Sequence, residues 1–231
     1  MSSSWKDCGV FWEHSAPQGT EEWKNARKGR INSSNSGSMS GQNNFKTPEE
    51  AGKIIAGVEE DNFSQKSIEV MAHGTKYEPY ARNWYEKKYN CKATERGLCV
   101  SKYDITIGAS VDGDIIGTDK IIEIKSPQKM YTPILNYLEN IDHGWKPEKN
   151  YVDHIWKSHF CQIQHAMFVL DKKYCDYIVY CTSTSQIFTQ RIKFDPDFWK
   201  QHYLKIKENY KLYVQPYLAG TPYPIIPYCV S

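Results

Sequence analysis

The order of local patterns along this chain predicts a mixed α/β fold, in which a central β-sheet is flanked by helices. Three observations support it. A cluster of short strand patterns fills residues 97–125, a long helical pattern follows at 153–170, and a strand pair then leads into a closing amphipathic helix at 196–213. The 231 residues can bury one substantial core, and no linker interrupts the middle of the chain. We therefore expect a single domain over 1–231.

The two ends of the chain and one internal stretch carry weaker patterns. Residues 1–18 are expected to be an irregular lead-in, and a short helix is expected after Thr20, because threonine is a favourable N-cap and two glutamates fill the first turn. The stretch 31–44, rich in Ser, Asn and Gly, predicts a loop or a short helical turn. The proline-rich tail 215–231 is expected to be extended.

A clear helix start follows. Thr47 is the expected N-cap, Pro48 stands at the first helical position, and Glu50 completes a capping box, in which cap and glutamate satisfy each other's backbone N–H groups. Gly57 is the expected end, since glycine tolerates the left-handed conformation that closes many helices.

The next helical pattern, over 65–89, contains two residues that weaken helices. Gly74 lowers helix propensity, and Pro79 lacks the N–H that the preceding turn requires. We therefore expect two helical segments that meet near Glu78.

The remaining strand patterns are short and apolar, and each is bounded by turn residues. They cover 97–100, 104–109, 114–116, 120–125, 174–182 and 186–194.

Bulk composition argues against two classes of protein. No apolar run approaches 18 residues, and the first residues lack the apolar region of a signal peptide, so no membrane span is expected. The seven cysteines are scattered without a C-x-x-C pair, which favours a reduced intracellular protein over a disulfide scaffold. The formal net charge of +2, from 29 basic and 27 acidic residues, does not by itself indicate a nucleic-acid partner.

The most informative stretch is an acid followed, eleven residues later, by an acid and a lysine two positions apart. Asp112 lies in a predicted tight turn, and Glu123 and Lys125 lie on a strand pattern. Because successive side chains of a strand point to opposite faces, Glu123 and Lys125 share one face. Ile122 and Ile124 then face the other way, towards a core. The charged pair is thus enclosed by apolar residues, where a charge is costly unless it has a partner or a use.

These residue types suit a divalent cation. Asp112 and Glu123 supply the two carboxylates that Mg²⁺ commonly takes, and the carbonyl of Ile124 would add another oxygen. Lys125 would hold a water or stabilise developing charge; a role as base would require its pKa to fall well below its usual value. Taken separately, Asp112 has an ordinary explanation as a turn residue, and Glu123 with Lys125 has one as a salt bridge on a strand. Together, on one face, the residues favour a site that cleaves phosphodiesters.

The arrangement Asp112…Glu123-x-Lys125 resembles the PD-(D/E)xK nuclease core, with Val111 where the motif's name has proline. Neighbouring blocks are similar to one branch of that superfamily, the lambda-exonuclease and YqaJ-type viral recombinase nuclease family, and they occur in that family's order. These blocks are Gln18–Ser34, His73–Arg82, Ala109–Gly113, Glu123–Pro127 and Phe160–Met167.

The resemblance implies roles for further residues. Glu78 would complete the metal ligands, directly or through water. Arg27 resembles the arginine that binds the terminal 5′ phosphate, a role that suits the forked guanidinium. Ser34 and Ser110 match hydroxyls near the same phosphate. Gln162 matches an active-site glutamine, and the glutamine two positions later cannot share its helix face.

The resemblance also implies a restriction-endonuclease-like fold and a 5′-to-3′ exonuclease that degrades double-stranded DNA from its ends, in recombination, repair or viral DNA processing. Mg²⁺ would be the cofactor, and Mn²⁺ would substitute for it. The implied partners are DNA ends, a single-strand annealing protein and further copies of the chain in a ring-like trimer, with no membrane. The implied setting is intracellular, as a viral or phage protein in its host cell.

Three alternatives stay open at this point. The core motif also serves structure-specific or nicking endonucleases of the same fold. A non-catalytic DNA-end-binding accessory protein is an alternative of a different class, although the intact core motif favours an enzyme. RNA is not excluded as the substrate.

Overall fold

The computed structural model describes residues 4–43, 45–138, 151–152 and 154–227. Its helices are α1 (Glu21–Arg27), α2 (Ser36–Met39), α3 (Pro48–Ala56), α4 (Gln65–Tyr89), α5 (Thr132–Leu138), α6 (Lys157–Leu170) and α7 (Pro196–Tyr213). Its strands are β1 (Trp5–Asp7), β2 (Phe11–His14), β3 (Ile31–Asn32), β4 (Ala93–Thr94), β5 (Cys99–Ser101), β6 (Ile107–Ala109), β7 (Gly113–Ile115), β8 (Lys120–Lys125), β9 (Tyr151–Val152), β10 (Ile155–Trp156), β11 (Tyr174–Tyr180) and β12 (Ile187–Lys193). Short 3₁₀ turns cover Ser33–Asn35 and Gln215–Tyr217.

Two mixed five-stranded sheets organise the fold. One has the order β12-β11-β8-β7-β4, and the other has the order β1-β2-β5-β6-β3. In the first sheet β8 and β11 run parallel, and in the second β3 and β6 do; the other neighbours are antiparallel. The predicted mixed α/β fold is therefore confirmed, but the helices flank two sheets where one central sheet was expected.

One large hydrophobic core joins the two sheets. Ile107 of β6 and Tyr177 of β11 belong to the same buried cluster, together with Ile163 of α6 and Ile206 of α7. Each of these four side chains is fully buried. Since burial of apolar surface is the main force that stabilises a fold, this shared core fixes the sheets relative to each other.

Three predicted helix starts are confirmed, two of them with the predicted capping contacts. Thr20 accepts a hydrogen bond from the N–H of Trp23 at the start of α1. Thr47 and Glu50 form the complete capping box of α3, and Gly57 ends that helix at φ 77°. The closing helix α7 has the predicted bounds. Among the described residues, no helix is long and apolar enough to cross a membrane.

The expected break near Glu78 is wrong, because α4 is continuous and contains Pro79. The proline removes one backbone hydrogen bond and crowds the preceding turn. However, Pro79 is exposed, while Ala81 and Tyr85 in the next turns are buried in a cluster with Ile122. Packing of this half of α4 against the first sheet outweighs the local cost, and Glu78 has helical backbone.

Other differences arise from pairings between distant segments. The expected irregular lead-in contains β1 and β2, and β2 pairs with β5 far along the chain. The stretch 31–44 does form short helical turns, but it also contains β3, and Met39 is fully buried. Helix α6 begins at Lys157, because the residues just before it pair with β9. The tail was expected to be extended, but it begins with the 3₁₀ turn Gln215–Tyr217, in which the N–H of Leu218 donates to the carbonyl oxygen of Gln215. Position 153, the expected helix start, and tail positions 228–231 lie outside the described residues.

Candidate active site

Strand β8 has the predicted bounds, and its last four residues alternate between the two faces of the sheet. Ile122 and Ile124 pack in the buried cluster beneath α4. Glu123 and Lys125 therefore lie on the opposite face, and Glu123 contacts Gln162 of α6 there. Glu123 is only 3% exposed, so its carboxylate depends on these neighbours instead of water.

Asp112 is held against β8 by the backbone. It lies in a bend immediately before β7, so the predicted tight turn at this position is wrong; the turn between β7 and β8 covers 116–119. The Oδ2 atom of Asp112 accepts a hydrogen bond from the N–H of Ile124 at 2.6 Å. This bond places the carboxylate of Asp112 beside the strand that carries Glu123.

Gly113 is required for the close approach of β7 to its neighbours. A Cβ at this position would lie 2.7 Å from Cγ1 of Ile122 and 2.9 Å from Cβ of Ala93. Both distances are shorter than real Cβ contacts. The glycine after Asp112 is therefore explained by packing between strands, and not by turn conformation.

Glu123, Lys125 and Gln162 form one hydrogen-bonded group. The Oε1 atom of Glu123 accepts hydrogen bonds from Nζ of Lys125 at 2.6 Å and from Nε2 of Gln162 at 2.6 Å. Burial alone would lower the pKa of Lys125, but the charges of Glu123 and Asp112 outweigh it and raise the pKa above its usual range. Lys125 is therefore an ammonium group that donates hydrogen bonds.

The acids of the site repel one another. Burial raises the pKa of Asp112 well above its usual range, and the negative charges of Glu123 and Glu78 raise it further. Burial also raises the pKa of Glu78, although the positive charge of its neighbour Arg82 opposes that shift. Arg82 forms an ion pair with Glu78 and donates from Nε to the carbonyl oxygen of Asp112 at 2.8 Å.

The oxygen donors of the site fit a hard divalent cation. Asp112 and Glu123 provide two carboxylates side by side, and a cation would relieve the repulsion that raises the pKa of Asp112. In the described part of the chain, no three His, Cys, Asp or Glu side chains are grouped as metal ligands. The third predicted ligand, Glu78, is instead bound to Arg82 in this arrangement.

A second cluster surrounds Arg27 at the end of α1. Its Nη2 atom donates to Oγ of Ser34 at 2.9 Å, and its guanidinium lies 4.1 Å from the ring centroid of Trp23. The indole N–H of Trp23 donates to Oγ of Ser110 at 3.1 Å. Burial lowers the pKa of Arg27 to about 10, so the group keeps its charge at neutral pH. No carboxylate of the described residues forms a salt bridge with it.

The two clusters adjoin each other. Ser110 and Asp112 are two residues apart, so their Cα atoms lie within about 7 Å of each other. The predicted phosphate-binding residues are thus connected: Arg27 contacts Ser34 and the indole of Trp23, and that indole contacts Ser110, the member of the cluster nearest Asp112 in sequence. Gln164, in contrast, is fully buried and donates to the carbonyl oxygen of Lys193.

Sequence reasoning missed several residues of this region. Trp23 lies four residues before Arg27 on α1, and Arg82 lies four residues after Glu78 on α4. Because residues four apart on a helix are neighbours, this spacing could have identified both. Glu95, which forms a 3.1 Å ion pair with Arg82, gave no such signal, because it lies beyond the end of α4.

Solved structures share this fold. The chain is similar to LHK-Exo, an alkaline exonuclease from Laribacter hongkongensis, with a TM-score of 0.66 and 22% identity over 87% of this chain and 95% of that chain. LHK-Exo in complex with dAMP matches with a TM-score of 0.65 and 24% identity, over 87% and 95%. A phage-related exonuclease from Haemophilus somnus 129PT matches with a TM-score of 0.50 and 15% identity, over 81% and 93%. The chain therefore has the α/β fold of these exonucleases.

Sequence comparison then identifies the family. The model of the YqaJ-like viral recombinase domain matches residues 22–173, which include both clusters described above. The chain belongs to the family of YqaJ-like viral recombinase domains, as its motifs predict. Among curated proteins, no sequence matches the chain.

Proposed function

We propose that this chain is a metal-dependent exodeoxyribonuclease that degrades double-stranded DNA from its ends in the 5′-to-3′ direction, in recombination, repair or viral DNA processing. The observation that carries the proposal is the adjacency of two clusters. Asp112, Glu123 and Lys125 form one hydrogen-bonded acid and lysine region, and Arg27 belongs to a second cluster that reaches it through Trp23 and Ser110. Membership of the recombinase family and the fold of solved exonucleases support it.

Asp112 and Glu123 would hold the metal ion, with Glu78 and the carbonyl of Ile124 as further ligands. We propose Mg²⁺ as the natural ion and Mn²⁺ as a substitute, because carboxylate and carbonyl oxygens suit both. When bound, such an ion supplies an activated water and neutralises charge at the phosphorus.

The remaining residues bind and orient the DNA. Arg27 donates from its guanidinium to the 5′-terminal phosphate, and Ser34 and Ser110 add hydroxyl donors. Lys125, as an ammonium, donates to an oxygen that gains charge during cleavage or orients the attacking water. Gln162 fixes the carboxylate of Glu123 through its 2.6 Å hydrogen bond. Because Ser110 is only two residues from Asp112, a phosphate bound by the Ser110 hydroxyl would place the adjacent phosphodiester bond near the carboxylates.

We extend the proposal to the wider setting of the protein. Residues 1–231 would act as one nuclease domain inside a host cell, in a ring-like trimer around DNA, with a single-strand annealing protein as partner. These features rest on resemblance to the family.

The test is digestion of linear duplex DNA in Mg²⁺, labelled at one 5′ or one 3′ end, beside a covalently closed circular duplex. We expect early release of 5′-labelled mononucleotides, with circles left intact. Asp112→Asn and Lys125→Ala proteins serve as controls and are expected to release no label.

Three outcomes would contradict the proposal. Cut circles or internal fragments would indicate an endonuclease, and early release of the 3′ label would reverse the direction. Binding to DNA ends without cleavage in Mg²⁺ or Mn²⁺ would indicate an end-binding protein.

A further inference from the structure

Arg82 makes contacts with three of its nitrogen atoms at the edge of the candidate site. It lies one helical turn beyond Glu78 on α4 and is largely buried, with a side chain 16% exposed. Its Nη2 atom binds the carboxylate of Glu78, and its Nε atom donates to the carbonyl oxygen of Asp112 at 2.8 Å. Its Nη1 atom lies 3.1 Å from a carboxylate oxygen of Glu95.

These contacts differ from those of an ordinary helix ion pair. An exposed i,i+4 ion pair stabilises its helix only weakly and joins residues of that one helix. Here the same planar group binds Glu78 on α4 and also the main chain at Asp112, thirty residues later, at the bend before β7. Because the guanidinium is rigid, it fixes the positions of these two acids relative to each other.

The charges around the site suggest what the contacts of Arg82 do for cation binding. Among the described residues, the carboxylates of Asp112, Glu123, Glu78 and Glu95 lie around the site, and the cationic side chains that form ion pairs with them are those of Lys125 and Arg82. The surplus of negative charge favours a divalent cation. Acids that repel one another need a support to stay together before the cation arrives, and groups outside the ligands commonly provide it.

We propose that Arg82 is a positioning residue of the metal site, in which its guanidinium holds Glu78 and the backbone of Asp112 in one arrangement that receives the divalent cation. The inference rests on the proposed function, because it assumes that Asp112 and Glu123 bind a metal. It assigns Arg82 no contact with DNA. Glu95 is the outer support that orients the guanidinium.

The experiment is titration of Mn²⁺ into the metal-free full chain by calorimetry, so that affinity is measured without any cleavage assay. Arg82→Lys keeps the positive charge but replaces the planar guanidinium by a single ammonium group, and Arg82→Gln removes both the charge and the guanidinium. We expect each to weaken Mn²⁺ binding about 10- to 100-fold, the usual effect of removing a group that orients metal ligands. Glu95→Gln is expected to weaken binding in the same direction by a smaller factor.

Arg191→Lys is the matched control, because Arg191 also binds a carboxylate on the first sheet, that of Asp176, but away from the acids of the site. It is expected to leave Mn²⁺ affinity unchanged. Thermal unfolding of every variant checks that it folds. If Arg82→Lys does not fold, Glu95→Gln carries the test, and Mn²⁺ affinity equal to that of the unaltered chain then overturns the inference.

The inference is overturned if Arg82→Lys binds Mn²⁺ as tightly as the unaltered chain. It is also overturned if Arg82→Gln binds more tightly, since Arg82 would then be only a competing charge. Failure of the metal site itself gives a different result: the unaltered chain and Asp112→Asn would show the same absence of binding, and the inference would fall with the site.

Discussion

Removal of the Arg27 guanidinium is expected to abolish the distinction between phosphorylated and unphosphorylated 5′ ends. In the unaltered chain, Arg27 is partly buried, held by Ser34 and stacked on Trp23. Its pKa of about 10 keeps it charged at pH 8. A positioned cation without a salt-bridge partner among the described residues is suited to bind an anion from outside.

The size of the effect follows from the hydrogen bonds that Arg27→Ala would remove. A hydrogen bond to a charged group contributes about 1.5–3 kcal/mol, which corresponds to about 10- to 150-fold in rate or affinity. Ser34→Ala removes a single uncharged donor to the same charged phosphate and should cost about 1.5 kcal/mol, the lower end of this range, or about 10-fold. Both losses are expected for 5′-phosphorylated ends only.

The assay compares kcat/KM on linear duplexes that differ only in a 5′ phosphate or a 5′ hydroxyl. Lys24→Ala is the matched control, because it removes an exposed positive charge from the same helix, where Lys24 pairs with Glu21. It should change both substrates alike and only slightly, since exposed charges are screened.

Equal losses on the two substrates would refute this reasoning. Arg27 would then bind DNA without regard to its end, or would support the fold through Ser34 and Trp23. A thermal unfolding midpoint lowered in parallel with activity would indicate the structural role.

Three further predictions concern stability in metal-free buffer. Asp112→Asn should raise the Tm at pH 8, by about 2–4 °C for each kcal/mol, because the folded state raises the pKa of Asp112 and its ionised form is disfavoured there. The protonated Asp112 contributes its full stability to the unaltered chain below about pH 4, the usual aspartate pKa, and this contribution is lost as pH rises through the folded pKa. The Tm advantage of Asp112→Asn over the unaltered chain should therefore shrink at pH 4. An advantage that stays undiminished there would contradict the raised pKa. Gly113→Ala should lower stability by about 1–3 kcal/mol, because its Cβ would lie 2.7 Å from Ile122. Gly74→Ala is the control, because a Cβ at position 74 meets no atom within 4 Å. This substitution should raise the free energy of unfolding by about 0.5–1 kcal/mol. If Gly74→Ala instead lost as much stability as Gly113→Ala, packing would not explain the glycine at 113.

The parts of the fold that local chemistry specifies were predictable. Strand β8 follows from its run of isoleucines and from the alternation of apolar and charged residues over 122–125, which has the period of a strand. The start of α3 follows from Thr47, Pro48 and Glu50, whose capping contacts involve only neighbours in sequence. The pairing of Glu123 with Lys125 on one face follows from the same period, so the core of the candidate site was accessible from sequence.

The continuity of α4 was not predictable in this way. Local propensity at Pro79 predicts a break, and the contacts that override it are made by Tyr85 and Ala81 with strands of the first sheet. The strands in residues 1–18 were not predictable for a similar reason, because β2 pairs with β5, a strand almost ninety residues later in the chain. A strand whose partner is remote in sequence leaves little trace in its own pattern.

By itself, the sequence determined the family, the mixed α/β class, the helices with complete caps and the acids and lysine of β8, because neighbours along the chain supply the physical signal for each. The tertiary structure alone decided that Trp23 joins Arg27 to Ser110, that Arg82 bridges Glu78 to the main chain at Asp112, and that two sheets share one core. These contacts join segments about thirty to ninety residues apart. Their formation depends on the whole core closing around them, and no local pattern encodes that closure.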